Sequence, residues 1–167
     1  MGVSRRFTKW RPGGGSRQFG HRWRAAIGEL SVRRDENMPF PITTAEISKT
    51  EAKTGFKFPL GLKSRFSKDN GGELEVGGDC WQLIPFLDTT DRKRLARTCN
   101  DIVRESARMR DWRGFPADAF VVAQNGGGDY LIIRPEAEGS KELGETIYFW
   151  DHETGEHEPV SDSLDAV

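Results

Sequence analysis

The sequence predicts an α+β fold: a single domain in which an antiparallel β-sheet meander is covered by helices. Three observations carry that reading. Apolar residues recur at helical spacing within residues 43–69 and 91–110, whereas short strand-like runs fill 73–84 and 120–160. Glycine clusters at 71–72, 77–78 and 126–128 separate those elements, where caps and hairpins need positive φ. Five tryptophans and ten phenylalanines supply heavy packing groups in a chain of 167 residues, long enough for one core and short for two.

The elements follow in order. Thr43 and Glu46 stand at capping-box spacing and open a helix through Ile47, Glu51 and Ala52 that stops at Gly55. Pro59 suits the start of a second helix, with Leu62 and Phe66 on one face. That helix runs to Asp69 and meets Asn70-Gly71-Gly72, a signal for a left-handed C-cap. Gly77-Gly78 turns a hairpin between Glu73–Val76 and Cys80–Ile84. A phosphate-cradling loop would need glycines after a strand and before a helix; here the order is helix, glycines, strand, so the glycines are architectural.

One long helix is expected from Asp91 to about Arg110, its stripe formed by Leu95, Cys99, Ile102, Val103 and Ala107. Strands follow at Phe120–Ala123 and Tyr130–Arg134, joined by the glycine-rich hairpin 124–129, then at Glu145–Trp150 and His157–Val160 around the turn 151–156. Ser161 reads as the N-cap of a final helix that the chain barely begins.

Charge divides the chain in two. Residues 1–38 hold nine arginines and lysines against three acids, with Phe7, Trp10, Phe19 and Trp23 interleaved. Residues 136–167 hold ten acids and one base, Lys141. The domain reading is therefore a basic leader over 1–38, expected to be disordered, and a folded body over 39–167. Met38 opens the ordered pattern and is expected to be the true start, in which case the leader is not made. If it is made, stacking aromatics and arginines would suit nucleic acid, an alternative weighed below disorder.

Several function classes lack their residues. No run approaches the roughly 20 apolar residues that span a bilayer, and no secretory leader is recognisable. Two cysteines, Cys80 and Cys99, do not form a disulfide framework and read as small, partly buried thiols in the cytoplasm. His152 and His157 lie near Glu153 and Glu156, but no third ligand of fixed spacing joins them, so no metal is expected. With three histidines and no nucleophile motif, no catalytic residue, cofactor or enzyme activity is expected.

Six motifs in order resemble the SUKH superfamily, which groups yeast cell-wall assembly regulators with many bacterial toxin-immunity proteins. They are Phe58-Pro59, Asn70-Gly71-Gly72, Trp81-x-Leu83-x-Pro85, Phe115-Pro116, Gly127-Gly128-Asp129 and Tyr148-x-Trp150, spread over residues 42 to about 164. Two departures stand out: Phe58 occupies a position where the family usually has leucine, and the closing helix is cut short after Ser163-Leu164. The resemblance implies a SUKH-like α+β domain that binds another protein and does no chemistry. In bacteria such a partner is typically a toxin, often a nuclease.

A nuclease presents a basic surface, so the acid-rich segment 136–167 fits that expectation. Candidate contact residues are Trp112, Glu145, Asp151, Glu153, Glu156 and Glu158; Trp81 and Trp150 are expected in the core. Asn70 and Asp129 are expected to form turns with their own backbone. The expectation is thus a cytoplasmic immunity protein, monomeric, that occludes the active site of a basic toxin domain. A regulatory or scaffold module without a toxin partner is the alternative.

Overall fold

The computed structural model of the protein describes residues 39–164; the basic arm, the expected start at Met38 and residues 165–167 lie outside them. Four helices and six strands follow in chain order: α1 (Thr44–Thr54), α2 (Leu60–Lys68), β1 (Glu73–Val76), β2 (Asp79–Leu83), α3 (Arg92–Arg97), α4 (Ile102–Met109), β3 (Phe120–Gln124), β4 (Tyr130–Ile133), β5 (Ile147–Trp150) and β6 (His157–Ser161). All six strands pair antiparallel in the order β1-β2-β3-β4-β5-β6, so the predicted α+β meander is present.

The first helix starts and stops as its residues dictate. Thr43 Oγ1 accepts from the Glu46 amide at 3.3 Å, and Gly55 closes α1 at φ 75°. Only half of the capping box forms, however. The Glu46 carboxylate turns away to accept from the amide and hydroxyl of Thr89 and from Lys49. Burial works against its ionisation, but those donors outweigh it and hold its pKa below the usual value. In α2, Leu62 and Phe66 are both buried as their spacing predicted.

Rings knit the helical pair to the sheet. Phe58 meets Phe86 and Phe120 edge-on, at 5.0 and 5.3 Å between centroids, and Phe66 meets Phe86 at 5.1 Å. Such offset contacts add to the area each ring removes from water. Phe58, the departure from the family pattern, is therefore a core residue. Across the sheet, Trp81 on β2 and Phe149 on β5 are separated by two intervening strands, yet their rings lie 6.0 Å apart. Strands about 4.8 Å apart would hold them much farther in a flat sheet, so the sheet curls around that face.

Three elements differ from the sequence reading. Asn70 is not a turn-former and does not lie at a left-handed cap. The C-cap of α2 is Asp69 in extended backbone, and Asn70, 5% exposed, turns its side-chain amide onto the main chain of Phe86. Its Oδ1 accepts from the Phe86 amide and its Nδ2 donates to the Phe86 carbonyl, both at 2.8 Å. Gly71 and Gly72, at φ 131° and 91°, carry the chain from that bridge into β1.

The long helix is two helices. Asp91 caps α3 through the Arg94 amide, and Asp101 caps α4 through the amides of Val103 and Arg104. An aspartate that can bond amides ahead of it competes with helix continuation. The Ile102 amide bonds Pro85 instead of the preceding turn. The buried stripe is then Ile102, Ser106 and Met109; Leu95 is 43% exposed, Ala107 is exposed, and both Cys80 and Cys99 are exposed rather than partly buried.

At the C-terminal end, Ser161 closes β6 and its hydroxyl donates to the Ser163 carbonyl, so it is not a helix cap. The register of β5 against β6 also shifts between Ile147 and Tyr148, where β6 carries the extra residue, Val160; on β5, Ile147 and Trp150 have opposite parity and both are buried. No helix among the described residues is long and apolar enough to cross a membrane.

Candidate functional site

Exposed aromatic surface marks the site. Trp112 follows α4 and is 49% exposed. Its ring lies edge-on to Trp150, at 6.4 Å between centroids, and equally far from the imidazole of His152. Trp150 is fully buried between Trp112, Phe115 and Tyr130, and its indole N–H has no acceptor among the described residues, so aromatic packing holds it. Trp81 is likewise buried, donating its indole N–H to the Val76 carbonyl at 3.2 Å. The expectation that Trp112 is exposed while Trp81 and Trp150 fill the core therefore matches the structure.

Two glycines place Trp112 beside the acidic turn. A Cβ on Gly114 would lie 2.7 Å from the backbone of Gly155, and one on Gly155 would lie 2.8 Å from the Arg113 carbonyl. Both residues also sit at positive φ, 82° and 75°. Only glycine satisfies both demands, and it lets the segment after α4 touch the β5–β6 turn main chain to main chain. In that turn Asp151 accepts from the amides of Glu153 and Thr154. Glu153, Glu156 and Glu158 point outward and are exposed. A shallow cavity of about 200 Å³ beside them is lined by Phe149, Asp151, Thr154, Glu156, His157 and Glu158.

Glu145 is not part of this surface. Its Oε1 accepts from the Gly61 amide at 2.9 Å, in the first turn of α2. Pro59 offers that helix no side-chain cap, so a carboxylate from 84 residues later takes the place. Replacing Glu145 with alanine is expected to lower stability by about 1 kcal/mol in chemical denaturation, with no effect on partner binding.

Asp129 also has a different role from the one expected. Its Oδ1 accepts from His152 Nδ1 at 2.8 Å and from the His152 amide at 3.3 Å, while its Oδ2 accepts from Asn125 Nδ2 at 3.0 Å. It therefore ties the β3–β4 loop to the β5–β6 turn. Burial opposes its ionisation, but the donors from His152 and Asn125 prevail and hold its pKa below the usual carboxylate value.

The two histidines considered as a pair are separate. His157, on β6, receives Arg134 at 2.7 Å, and burial followed by the Arg134 charge pushes its pKa down. Asp129, Asp151 and His152 do gather within 4.8 Å. Within that trio Asp129 bonds His152 and Asn125, while Asp151 Oδ1 accepts from the amides of its own turn.

His152 and the Gly114–Gly155 contact are the parts that sequence reasoning missed. The available signal was a glycine on each side, Gly114 after α4 and Gly155 in the turn, with no local reason for both.

An α+β domain with a six-stranded antiparallel meander, two helices ahead of it and two more between β2 and β3 is the class of protein that these elements define. The chain belongs to the SMI1 / KNR4 family (SUKH-1), whose profile matches residues 41–167. No curated protein matches the chain.

Proposed function

We propose that this SUKH-1 domain is an immunity protein that docks on a cognate basic toxin domain, of nuclease type, and covers its active site. The observation that carries the reading is the juxtaposition of exposed Trp112 with the acidic turn and strand bearing Asp151, Glu153, Glu156 and Glu158. A half-exposed indole braced on a buried ring offers contact area at little entropic cost, and aromatic anchors of this kind concentrate binding energy. The surrounding carboxylates would draw a cationic partner and reject acidic ones.

Binding without chemistry is part of the same proposal. Although the Cys80 thiol is exposed, local desolvation, then the charge and hydrogen bond of Glu73 and the charge of Glu75, hold its pKa above the usual value, which disfavours the reactive thiolate. The toxin would be met in the cytoplasm by a monomeric domain.

The experiment is co-purification with the product of the adjacent gene, followed by association kinetics. Reversing Glu153, Glu156 and Glu158 to lysine is expected to slow association roughly tenfold at low salt and to flatten its salt dependence. An on-rate that stays the same would count against the proposed face, and a domain that binds a non-toxin partner would favour the scaffold reading.

A further inference from the structure

His152 lies where three segments meet. Its Nδ1 faces Asp129 of the β3–β4 loop, its ring lies against Trp112 after α4, and its main chain belongs to the β5–β6 turn. The fit is close. A Cβ on Gly128, which sits at φ 110°, would come within 3.0 Å of the imidazole, so glycine there allows the ring to lie on the loop. Asp129 is itself held, because Asn125 donates to its Oδ2 while Asn125 Oδ1 accepts from the amides of Gly127 and Asp129. The carboxylate is thus fixed from one loop and the imidazole is presented from the other.

We infer that His152 is a protonation-controlled clamp that holds the acidic β5–β6 turn beneath Trp112, keeping the binding face in one arrangement on the acid side of neutrality and loosening it on the alkaline side. The clamp stands on its own geometry, and its consequence for binding rests on the face proposed above. His152 is a positioning residue here.

The acids around the ring favour its protonated form, and Arg113 is the one base among the charges nearby. From the β3–β4 loop comes Asp129; from its own turn come Asp151 and Glu153; from the segment after α4 come Asp111 and Arg113, flanking Trp112. The bond to Asp129 raises the His152 pKa most, burial opposes it, and the charges of Asp129, Glu153 and Asp151 raise it further.

A raised histidine value contributes stability that is fully present below the ordinary 6.5 and is lost as pH rises through the higher folded value. A lowered aspartate value contributes stability present above the ordinary 3.8 and lost as pH falls through the lower folded value. The clamp is therefore strongest between those two ordinary values. Deprotonation leaves Nδ1–H able to donate to Asp129 and removes only the charge assistance, so the turn loosens without letting go.

The test uses the full chain. Nuclear magnetic resonance titration of His152 should give a pKa above 6.5, and Asp129→Asn should bring it down. Amide exchange, corrected for intrinsic rates, should show protection over 127–129 and 151–155 falling roughly threefold or more as His152 deprotonates. The same segments in His152→Gln should show no step. A wild-type His152 titrating at or below 6.5, or protection that stays flat through its titration, would overturn the clamp, and neither result depends on Asp129→Asn folding.

Affinity for the adjacent gene product, measured at pH 6 and pH 8, is the separate arm. A titrating clamp with unchanged affinity would overturn the link to binding. Loss of binding at neither Trp112 nor the acidic turn, with the clamp still titrating, would locate the failure in the proposed face.

Discussion

Replacing Asn70 with alanine is expected to destabilise the domain by about 3 kcal/mol, the largest stability loss foreseen for any polar side chain here. The bridge it makes is doubly bound, accepting from the Phe86 amide and donating to the Phe86 carbonyl, both at 2.8 Å. Phe86 is fully buried, and its ring meets those of Phe58 and Phe66. Removing the amide leaves a buried N–H and a buried C=O without partners, each costing about 1–3 kcal/mol. An Asn70→Asp change would restore only the acceptor half and should recover part of the loss. Urea denaturation of the two variants checks this, and equal stability of wild type and Asn70→Ala would refute the role.

If the domain docks as proposed, Trp112→Ala is expected to weaken association with the toxin partner at least thirtyfold, about 2 kcal/mol, the size typical of an aromatic anchor. The loss should lie mainly in a faster off-rate, in contrast to the slowed association expected of the glutamate reversals. Trp112 also covers one edge of Trp150, so the variant should lose some stability. Trp112→Phe separates the two effects, because it keeps a ring against Trp150 while giving up much of the exposed indole. Calorimetric affinity set beside thermal unfolding is the measurement. Affinity that falls only in proportion to stability would remove Trp112 from the face.

Much of the sheet was legible, and the reason is local. Gly77-Gly78 fixes a two-residue hairpin whose φ values are 66° and 88°, and the apolar runs around 120–133 and 147–150 carry their own strand signal. The split between α3 and α4 was not legible from periodicity, because Leu95, Cys99, Ile102 and Val103 keep helical spacing across it. What breaks the helix is Asp101 capping the next one while the Ile102 amide is drawn to Pro85, and the second of these is a tertiary contact.

The candidate face was legible in part for the same reason. Exposure of Trp112 follows from its place past a helix end, and acidity follows from composition. Glu145 has the same composition and belongs elsewhere, since its partner Gly61 is 84 residues away. Asn70 and Asp129 read as turn-formers because the sequence displays only their neighbours. Their actual partners, Phe86 and His152, lie 16 and 23 residues on.

The contact between Gly114 and Gly155 bears on how such a domain could diversify. Side chains at 153, 156 and 158 project outward from a turn and strand locked main chain to main chain to the segment after α4, so they are free to be exchanged without disturbing the interior, whereas position 112 must keep a ring against Trp150. An insertion or deletion within either segment would unseat the other. On the proposed binding face, a change of partner should therefore proceed by repainting this rim at constant length, with the glycine pair as the hinge pin that stays.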